Sequence, residues 1–410
     1  RPSMTASDAH DHDPSGGTLP RRDVAGPAPA AELLVGNEAA LHRLEQLREQ
    51  ALEYAEKSIA TSTRRYYETD LKRYEDWCAR LGVPSDPILP ELVSLHITEL
   101  ADARIMKRKY TDPAKKQFVM VEEQQYKVSS LRRFVASLSR AHYERGGGRG
   151  LGEHPTIAAV MAGLARTRQE RPAKRKPLMR DDVADLIDAM DHSHWPAGVL
   201  AARDTLMVLI GFATALRREN VARLTAGEVL VHREDGLHIT VGKTKTDQEG
   251  QGATLAIPFG ENTITCVPCA WYRWASLLAA ENTAARMALV LSTPADPALW
   301  RHVCRRAFPE LPAGTPVFPR ISKGGSIRFE SVSGNALYGR IKLRTEQAGF
   351  DPEQFGFHSL RSGFVTQARR KGASYREVRK QTLHATNASV DGYDRDGTPL
   401  IDNAVTKLGL

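Results

Sequence analysis

Residues that could act together on one phosphate group lie near the C-terminal end of the sequence. His358 and Arg361 are three positions apart, so a helix would place them on one face, one turn from each other. An imidazole and a guanidinium arranged in this way present several hydrogen-bond donors to a single phosphate. His384 adds a second imidazole, and Tyr393 adds a phenol oxygen that could attack phosphorus. These four side chains are therefore candidates for phosphoryl-transfer chemistry.

Two cations further upstream complete the pattern. Arg217 ends the segment Ala213-Thr214-Ala215-Leu216-Arg217, which follows an apolar helical stretch, and Lys245 lies in Gly242-Lys243-Thr244-Lys245-Thr246, after a short strand-like run. The six positions together resemble the active site of the tyrosine recombinase family, which includes Cre and the phage integrases. In that family the first arginine commonly follows Thr-Gly-Leu, and the lysine lies on a β-hairpin turn.

The resemblance implies a site-specific DNA recombinase that cleaves and rejoins DNA through a 3′-phosphotyrosine. It implies that Tyr393 is the nucleophile, that Arg217 and Arg361 hold the non-bridging oxygens and that His384 donates a further hydrogen bond. His358 would position the tyrosine proton, and Lys245 would protonate the leaving 5′-oxygen. No cofactor and no metal ion are expected. The expected partners are double-stranded DNA with paired inverted-repeat sites and further copies of this chain, forming a synaptic tetramer.

One position departs from the family pattern. The family commonly carries an acidic residue three positions after the first arginine, where this sequence has Asn220. Glu219 is adjacent, but on a helix it would face another direction. The departure puts the support of Arg217 or Lys245 in question, and leaves the reaction class unchanged.

Length and composition fit this interpretation. A chain of 410 residues is long enough for two domains. Its net charge is +8, and because residues 1–35 carry −2, the remainder carries +10. Such a basic body favours a polyanionic partner, most often nucleic acid. The sequence has neither a long uninterrupted apolar run nor a signal-peptide pattern, so we expect a cytoplasmic protein with no membrane association.

The fold class expected is mainly α with a small β-sheet, in the form of an all-α core-binding domain followed by an α+β catalytic domain. Residues 1–35 are rich in small and polar residues and are expected to be a disordered tail. Helical spacing of apolar residues, including a helix from Glu91 to about Lys109, predicts the all-α domain over 36–168. A basic linker over 169–177 leads to a catalytic domain over 178–395.

Basic residues beside these helices and in the linker are candidate DNA contacts. Each one taken singly could equally be a solvated surface charge, and the linker could be a hinge or an import signal. The candidates are Arg64, Arg65, Lys127, Arg132, Arg133, Lys174, Arg175, Lys176 and Lys243.

Two cysteines form a separate motif. Cys266-Val267-Pro268-Cys269 has the spacing of half a zinc site, but a full site needs two more ligands, for which His302 and Cys304 are the candidates. The same residues match a family segment in which Cys-Pro precedes a helix. The sequence therefore favours packing over metal binding.

The last residues and the overall activity leave alternatives open. Residues 396–410 have helical apolar spacing and are expected to form a helix that docks on a neighbouring subunit, or on this chain itself. A type IB topoisomerase uses a similar set of residues, and a DNA-binding regulator could share the scaffold. The family-like hairpin and the docking helix favour the recombinase over the topoisomerase, and the complete set of six positions favours it over the regulator.

Overall fold

The computed structural model describes residues 38–57, 61–148, 150–170, 175–242, 252–384 and 386–397. The tail predicted over 1–35 and most of the predicted C-terminal helix lie outside these ranges. The described residues group into two compact units, one formed by residues up to 102 and from 126 to 168, the other by residues 103–125 and those from 169 onward.

The described part of the first unit is all helical, as the sequence predicted. Its helices are α1 Glu38–Lys57, α2 Thr61–Leu81, α3 Pro90–Asp102, α4 Val128–Glu144 and α5 Pro155–Arg168, with a short 3₁₀ turn at Leu151–Glu153. The core is formed by one apolar face of each of α2 to α5, where Tyr74, Ile97, Leu131 and Ile157 are fully buried. A buried carboxylate, Asp70, accepts a hydrogen bond from Ser137 across this core.

A β-hairpin separates α3 from α4, which corrects the sequence analysis. The helix predicted to reach Lys109 ends at Asp102, and the chain continues as strands β1 Arg104–Asp112 and β2 Gln117–Gln124. The hairpin groups with the second unit, where the Tyr110 hydroxyl donates a hydrogen bond of 2.7 Å to Glu346. Residues 103–125 must therefore be taken out of the all-α span predicted over 36–168.

The second unit combines nine described helices with small antiparallel sheets, as expected for an α+β catalytic domain. The helices are α6 Arg180–Asp188, α7 Ala197–Thr214, α8 Arg218–Arg223, α9 Val267–Ala279, α10 Thr283–Leu291, α11 Gly334–Gln347, α12 Phe357–Arg370, α13 Tyr375–Thr382 and α14 Ala388–Gly397. Short 3₁₀ turns lie at Ala226–Glu228, Pro297–Leu299 and Pro352–Gln354.

Three strands pair in the order β3 Val229–His232, β4 Gly236–Val241 and β5 Ala253–Ile257, and two more, β6 Pro319–Ile321 and β7 Ile327–Ser331, form a separate pair. The hairpin of β4 and β5 agrees with the strand-like run predicted before Lys245. The residues that connect these strands, 243–251, lie outside the described part of the chain, and with them Lys243 and Lys245.

Helix α7 is the centre of the second unit. It is long and apolar enough by length and composition to cross a membrane, but 72% of it is buried inside the unit, as in the core helix of a globular domain. Gly211 allows the side chains of Leu360 and Phe357 from α12 to approach closely, because a Cβ at this position would meet Leu360 at 2.7 Å. The helix that carries His358 and Arg361 is thus packed directly on the helix that leads to Arg217.

A buried ion cluster joins α7 to α11. The carboxylate of Asp204 is fully buried and accepts hydrogen bonds from the guanidiniums of Arg203, Arg340 and Arg344. Burial alone would raise the pKa of this carboxyl, but the three guanidiniums outweigh that effect and lower it. Asp204 is therefore a charged carboxylate in the core, held by cations from two helices.

Candidate active site

Arg217 lies at a sharp turn between α7 and α8. Helix α7 ends at Thr214, and Ala215 adopts a left-handed conformation with φ 49° and ψ 27°. This explains the glycine that the family commonly has here, since glycine enters that conformation without steric cost. The turn buries Leu216 and makes Arg217 the N-cap residue of α8. The half-buried Arg217 therefore stands where a core helix ends, on a rigid base.

Arg361 is tied to the same turn. It is 4% exposed in the second turn of α12, and its Nη1 donates to the backbone carbonyl of Ala215, two residues before Arg217. His358 lies one turn earlier on α12, as the spacing predicted. Helix α12 is fixed in position by Gly363, where a Cβ would lie 1.7 Å from the carbonyl oxygen of Leu178.

His384 follows α13 and is oriented by its neighbours. Leu383 ends that helix in a left-handed conformation (φ 54°), which turns the chain so that His384 Nδ1 lies 2.7 Å from the hydroxyl of Thr382. The Thr382 hydroxyl donates to the Val378 carbonyl at 2.8 Å. Arg379 donates to the carbonyl of His384 at 3.1 Å and so holds the segment from the other side.

A side chain from α13 also reaches the end of α7. Gln381 Nε2 donates to the carbonyl of Ala213 at 2.8 Å. The last carbonyls of a helix have no partner within the helix. At the end of α7, Gln381 from α13 and Arg361 from α12 supply two of these partners. The segments carrying Arg217, Arg361 and His384 are thereby joined by hydrogen bonds.

Burial, and then the charges of Arg361 and Arg217, lower the pKa of both histidines. The pKa of His384 is lowered to about 4, first by burial and then by the positive charges of Arg361 and Arg217. Burial and the same two arginines lower the pKa of His358. Both imidazoles are therefore neutral at physiological pH, beside two permanent cations. A neutral imidazole carries one donor and one acceptor nitrogen, so each histidine can either give or receive a proton.

Tyr393 lies in α14, which packs against the helices of the site. Val390 of α14 is fully buried with Val365 of α12 and Val378 of α13. This small core brings the backbone of Tyr393 onto the helix that carries His358 and Arg361. The side chain of Tyr393 and the whole of Lys245 lie outside the described residues, so their predicted roles stay predictions.

A sequence comparison identifies the family to which this arrangement belongs. The model of the phage integrase family matches residues 176–397, more than half of the chain. The chain belongs to the phage integrase family. It is accordingly a tyrosine-type site-specific DNA recombinase.

Individual relatives are distant. This integrase is similar to the integrase/recombinase XerD homolog of Selenomonas ruminantium, with 25% identity over 378 residues that cover 92% of this chain and 93% of that protein. Among solved structures, a lambda integrase dimer bound to a COC′ core site is 15% identical to this chain, with a TM-score of 0.45. The match covers 86% of this chain and 76% of the lambda integrase chain. The Tn1549 transposon integrase in complex with transposon right-end DNA is 12% identical, with a TM-score of 0.48. The match covers 84% of this chain and 92% of that one.

The acidic position that this integrase lacks is not replaced by its neighbour. Glu219 pairs with Arg218 at 3.2 Å, and its carboxylate lies against Gly334 at the start of α11, where a Cβ would meet it at 2.3 Å. A carboxylate at a helix N-terminus is stabilised by the helix dipole. Glu219 therefore serves the contact between α8 and α11.

The predicted DNA-contact residues fall into three groups. Arg64, Arg65, Lys127 and Arg132 are exposed on the first unit and Lys176 on the second. Two others are half-buried: Arg133 contacts Asp70 at 3.3 Å, and Arg175 donates to the Glu353 carbonyl and the Tyr338 hydroxyl. Lys174 and Lys243 lie outside the described residues.

The residues that sequence reasoning missed are the ones that hold the site residues in place. Thr382, Arg379 and Gln381 all lie on α13 or at its end, within five residues of His384. Their polar side chains were visible within an otherwise ordinary helix pattern. Their targets, the carbonyls of His384 and Ala213 and one ring nitrogen, carry no sequence signal.

Proposed function

We propose that this protein cleaves and rejoins duplex DNA at paired inverted-repeat sites through a 3′-phosphotyrosine intermediate, with strand exchange inside a tetramer. One observation carries the proposal. Arg217, His358, Arg361 and His384 come from three separate segments, yet hydrogen bonds join these segments at the end of α7. Burial, and then the charges of the two arginines, lower the pKa of both histidines. Such a cluster of cations and neutral imidazoles is suited to a phosphate whose negative charge grows during reaction.

The arginines would stabilise the transition state. Attack on a phosphodiester builds charge on its two non-bridging oxygens, and a guanidinium offers these oxygens a permanent charge and paired donors. Arg361 is buried and anchored on Ala215, so its orientation is set before DNA arrives. Preorganised donors of this kind need no rearrangement at the moment of reaction.

The histidines and the tyrosine would move the protons. The phenol of Tyr393 has an ordinary pKa near 10 and needs a base or strong positive charges nearby to react at neutral pH. His358 is neutral and can accept or position that proton. His384 would donate Nε2–H to a non-bridging oxygen, and Lys245 would protonate the leaving 5′-oxygen.

The reaction needs no energy source from outside. A phosphodiester of DNA is exchanged for a phosphoester of tyrosine, and the 5′-hydroxyl released from one strand can be replaced by the 5′-hydroxyl of another. Attack by that second hydroxyl re-forms a DNA phosphodiester and frees Tyr393. Strand exchange between two sites requires four active subunits, and residues 396–410 are proposed to link them by docking on a neighbour. The protein would act inside the cell, where its DNA substrate lies.

A suicide substrate tests the proposal. The DNA sequence that flanks the gene is searched for inverted repeats. A synthetic duplex that carries such a repeat is then nicked beside the expected scissile bond, and a plasmid with two copies of it serves to detect recombination. We expect a covalent protein–DNA complex with the natural chain, none with Tyr393→Phe, and an undiminished amount with Tyr375→Phe, a control tyrosine on α13.

Each other outcome has a distinct meaning. Failure of the natural chain to form a covalent complex on any flanking site would rule out the cleavage proposal and favour a DNA-binding regulator. Covalent trapping with relaxed circles and no recombinant product would identify a topoisomerase. Recombinant products formed by a protein that stays monomeric on DNA would contradict the proposed tetramer.

A further inference from the structure

Two cysteines at the start of α9 face a second pair of ligand-type residues from a distant loop. Cys266 is the N-cap residue of α9, and Cys269 lies in its first turn. His302 and Cys304 lie in the irregular segment that follows Trp300. The sequence analysis favoured simple packing for the first pair. The structure instead brings both pairs together.

The four side chains have the spacing of a tetrahedral metal site. One ligand atom from each residue lies within 4.8 Å of every other. His302 Nδ1 is 3.4 Å from Cys269 Sγ and 3.8 Å from Cys304 Sγ. A zinc ion at its usual bond lengths to sulfur and nitrogen separates two such ligand atoms by roughly 3.5–3.8 Å.

The surroundings prepare these atoms to act as ligands. His302 Nε2 lies 3.0 Å from the carbonyl oxygen of Glu261, so the ring proton has an acceptor there and Nδ1 keeps its lone pair toward the sulfurs. A histidine that binds metal through one nitrogen commonly donates the other N–H in this way. The sulfurs receive backbone N–H groups, from Gly260 to Cys266 at 3.4 Å and from Val303 to Cys269 at 3.3 Å.

The three thiols are buried, free and close to a cation. None of the cysteines is in a disulfide, and Cys266, Cys269 and Cys304 form a small core of their own with Phe259 and Val303. Arg273, one turn further along α9, donates to the carbonyl of Arg301, the residue before His302, at 3.1 Å. Three thiolates and one dication carry a net charge of −1, which a nearby guanidinium offsets.

We propose that Cys266, Cys269, His302 and Cys304 bind one structural zinc ion. Soft thiolates with one imidazole suit zinc better than magnesium or calcium, which prefer oxygen ligands. All four positions are filled by protein, so no position stays open for a substrate or a reactive water. The ion would stabilise the fold and take no part in DNA cleavage, and the inference does not rest on the proposed function.

The site would fasten a long irregular segment to the catalytic unit. One end of that segment holds His302 and Cys304, which the ion would tie to α9. Its other end is fixed by Trp274 of α9, whose Nε1 donates to the Val317 carbonyl at 2.7 Å. Val317 N donates in turn to the carbonyl of Leu224, just after α8. Zinc would thus brace the segment that runs beside the helix next to Arg217.

Metal analysis of the full chain, purified without a polyhistidine tag, tests the inference. We expect about one zinc per chain, and loss of most of it in Cys269→Ser and Cys304→Ser. Cys78→Ser is the matched control, because Cys78 is also buried and free but lies in the first unit. His302→Cys should keep the metal, since four thiolates also bind zinc.

Replacement of zinc by cobalt(II) gives a second reading that does not need the variants to fold. The natural chain alone should show the absorption bands of tetrahedral cobalt with thiolate charge transfer. Where His302→Cys folds, its bands should differ from those of the natural chain. A natural chain that contains no zinc and takes up no cobalt would overturn the proposal. A Cys266–Cys269 disulfide, seen as a protein mass two hydrogens lower, would also overturn it. So would zinc that persists in both serine variants, because it would then belong to another group, such as His232, Asp235 and His238.

Discussion

The guanidinium of Arg361 donates a hydrogen bond to the backbone carbonyl of Ala215, two residues before Arg217. The two arginines that are proposed to hold the scissile phosphate are therefore connected through one turn of backbone. Any change at Arg361 should remove one proposed phosphate contact and also loosen the turn that positions Arg217. The effects of changing both arginines should then be less than additive.

Arg361→Lys should reduce cleavage by at least about 100-fold, because lysine cannot supply paired donors to a phosphate. The loss of the Ala215 contact should also lower the melting temperature. Single-turnover formation of the covalent complex and thermal unfolding measure the two effects. Arg180→Lys, in an exposed surface pair with Asp181 at the start of α6, is the control and should leave both unchanged. Cleavage at the natural rate in Arg361→Lys would show that Arg361 has only a structural role.

Thr382→Val should weaken the orientation of His384, because it removes the hydroxyl that lies 2.7 Å from Nδ1. In this structure the single proton of the Thr382 hydroxyl goes to the Val378 carbonyl, so its oxygen accepts from Nδ1–H. When the hydroxyl turns to donate to Nδ1 instead, Nε2 carries the ring proton and can donate it to a bound phosphate. We expect a cleavage rate reduced about tenfold with unchanged DNA affinity, and recovery in Thr382→Ser. Equal rates in the valine and serine variants would contradict this role.

The pH profile of cleavage should contain no inflection from His384 between pH 6 and 8. Its pKa is lowered to about 4, chiefly by burial, so the ring stays neutral through that range and becomes charged only as the pH falls toward 4. Titration of the ring by NMR in the DNA-free protein checks the value. A His384 pKa near 6.5 would mean that the ring is open to water in solution.

Gly363→Ala should destabilise the second unit severely. The added Cβ would lie 1.7 Å from the Leu178 carbonyl oxygen, so α12 would have to move away. We expect a loss of more than about 3 kcal/mol in the free energy of unfolding. Gly339→Ala is the matched control on α11, with no atom within 4 Å of the new Cβ, and should gain about 0.5–1 kcal/mol. Denaturant unfolding measures both, and equal stabilities would disprove the close approach.

Asp204→Asn should destabilise the unit by about 3–5 kcal/mol, because three guanidiniums would lose their buried anion.

The carboxyl of Asp204 also predicts a pH dependence of stability. The lowered pKa of Asp204 means that its stabilisation is complete above the carboxyl's ordinary pKa and is lost as the pH falls through the folded value. The natural chain should therefore lose more stability on acidification than Asp204→Asn. Asp181→Asn, with an exposed side chain, should change little, and equal acid sensitivity in the natural chain and Asp204→Asn would contradict this assignment.

Local spacing was sufficient to predict most of the described helices and the placement of His358 and Arg361 on one of them. His358 and Arg361 lie on one helix because their separation matches a helical turn, and Arg217 follows a run of apolar residues long enough to form the core helix α7. The strand-like run before Lys245 was equally visible, and the hairpin of β4 and β5 agrees with it. In each case the signal and the structure lie within the same short stretch.

Features that depend on distant partners could not be predicted. Residues 104–109 read Arg-Ile-Met-Lys-Arg-Lys, which suits a helix as well as a strand, and pairing with β2 decides between them. The carboxylate of Asp204 is held by arginines 136 and 140 residues later. The two halves of the cysteine and histidine cluster are more than 30 residues apart. Their ligand types could be read from the sequence, but their proximity could not.

The hairpin of β1 and β2 has a practical consequence for anyone who wishes to redirect this recombinase. Because residues 103–125 group with the second unit, the backbone passes between the two units after Asp102, before Tyr126 and again after Arg168. A chimaera that exchanges everything upstream of residue 169 would replace the strand pair whose Tyr110 contacts Glu346. Grafting a foreign first unit onto this second unit therefore requires three junctions, with the native hairpin retained between the first two.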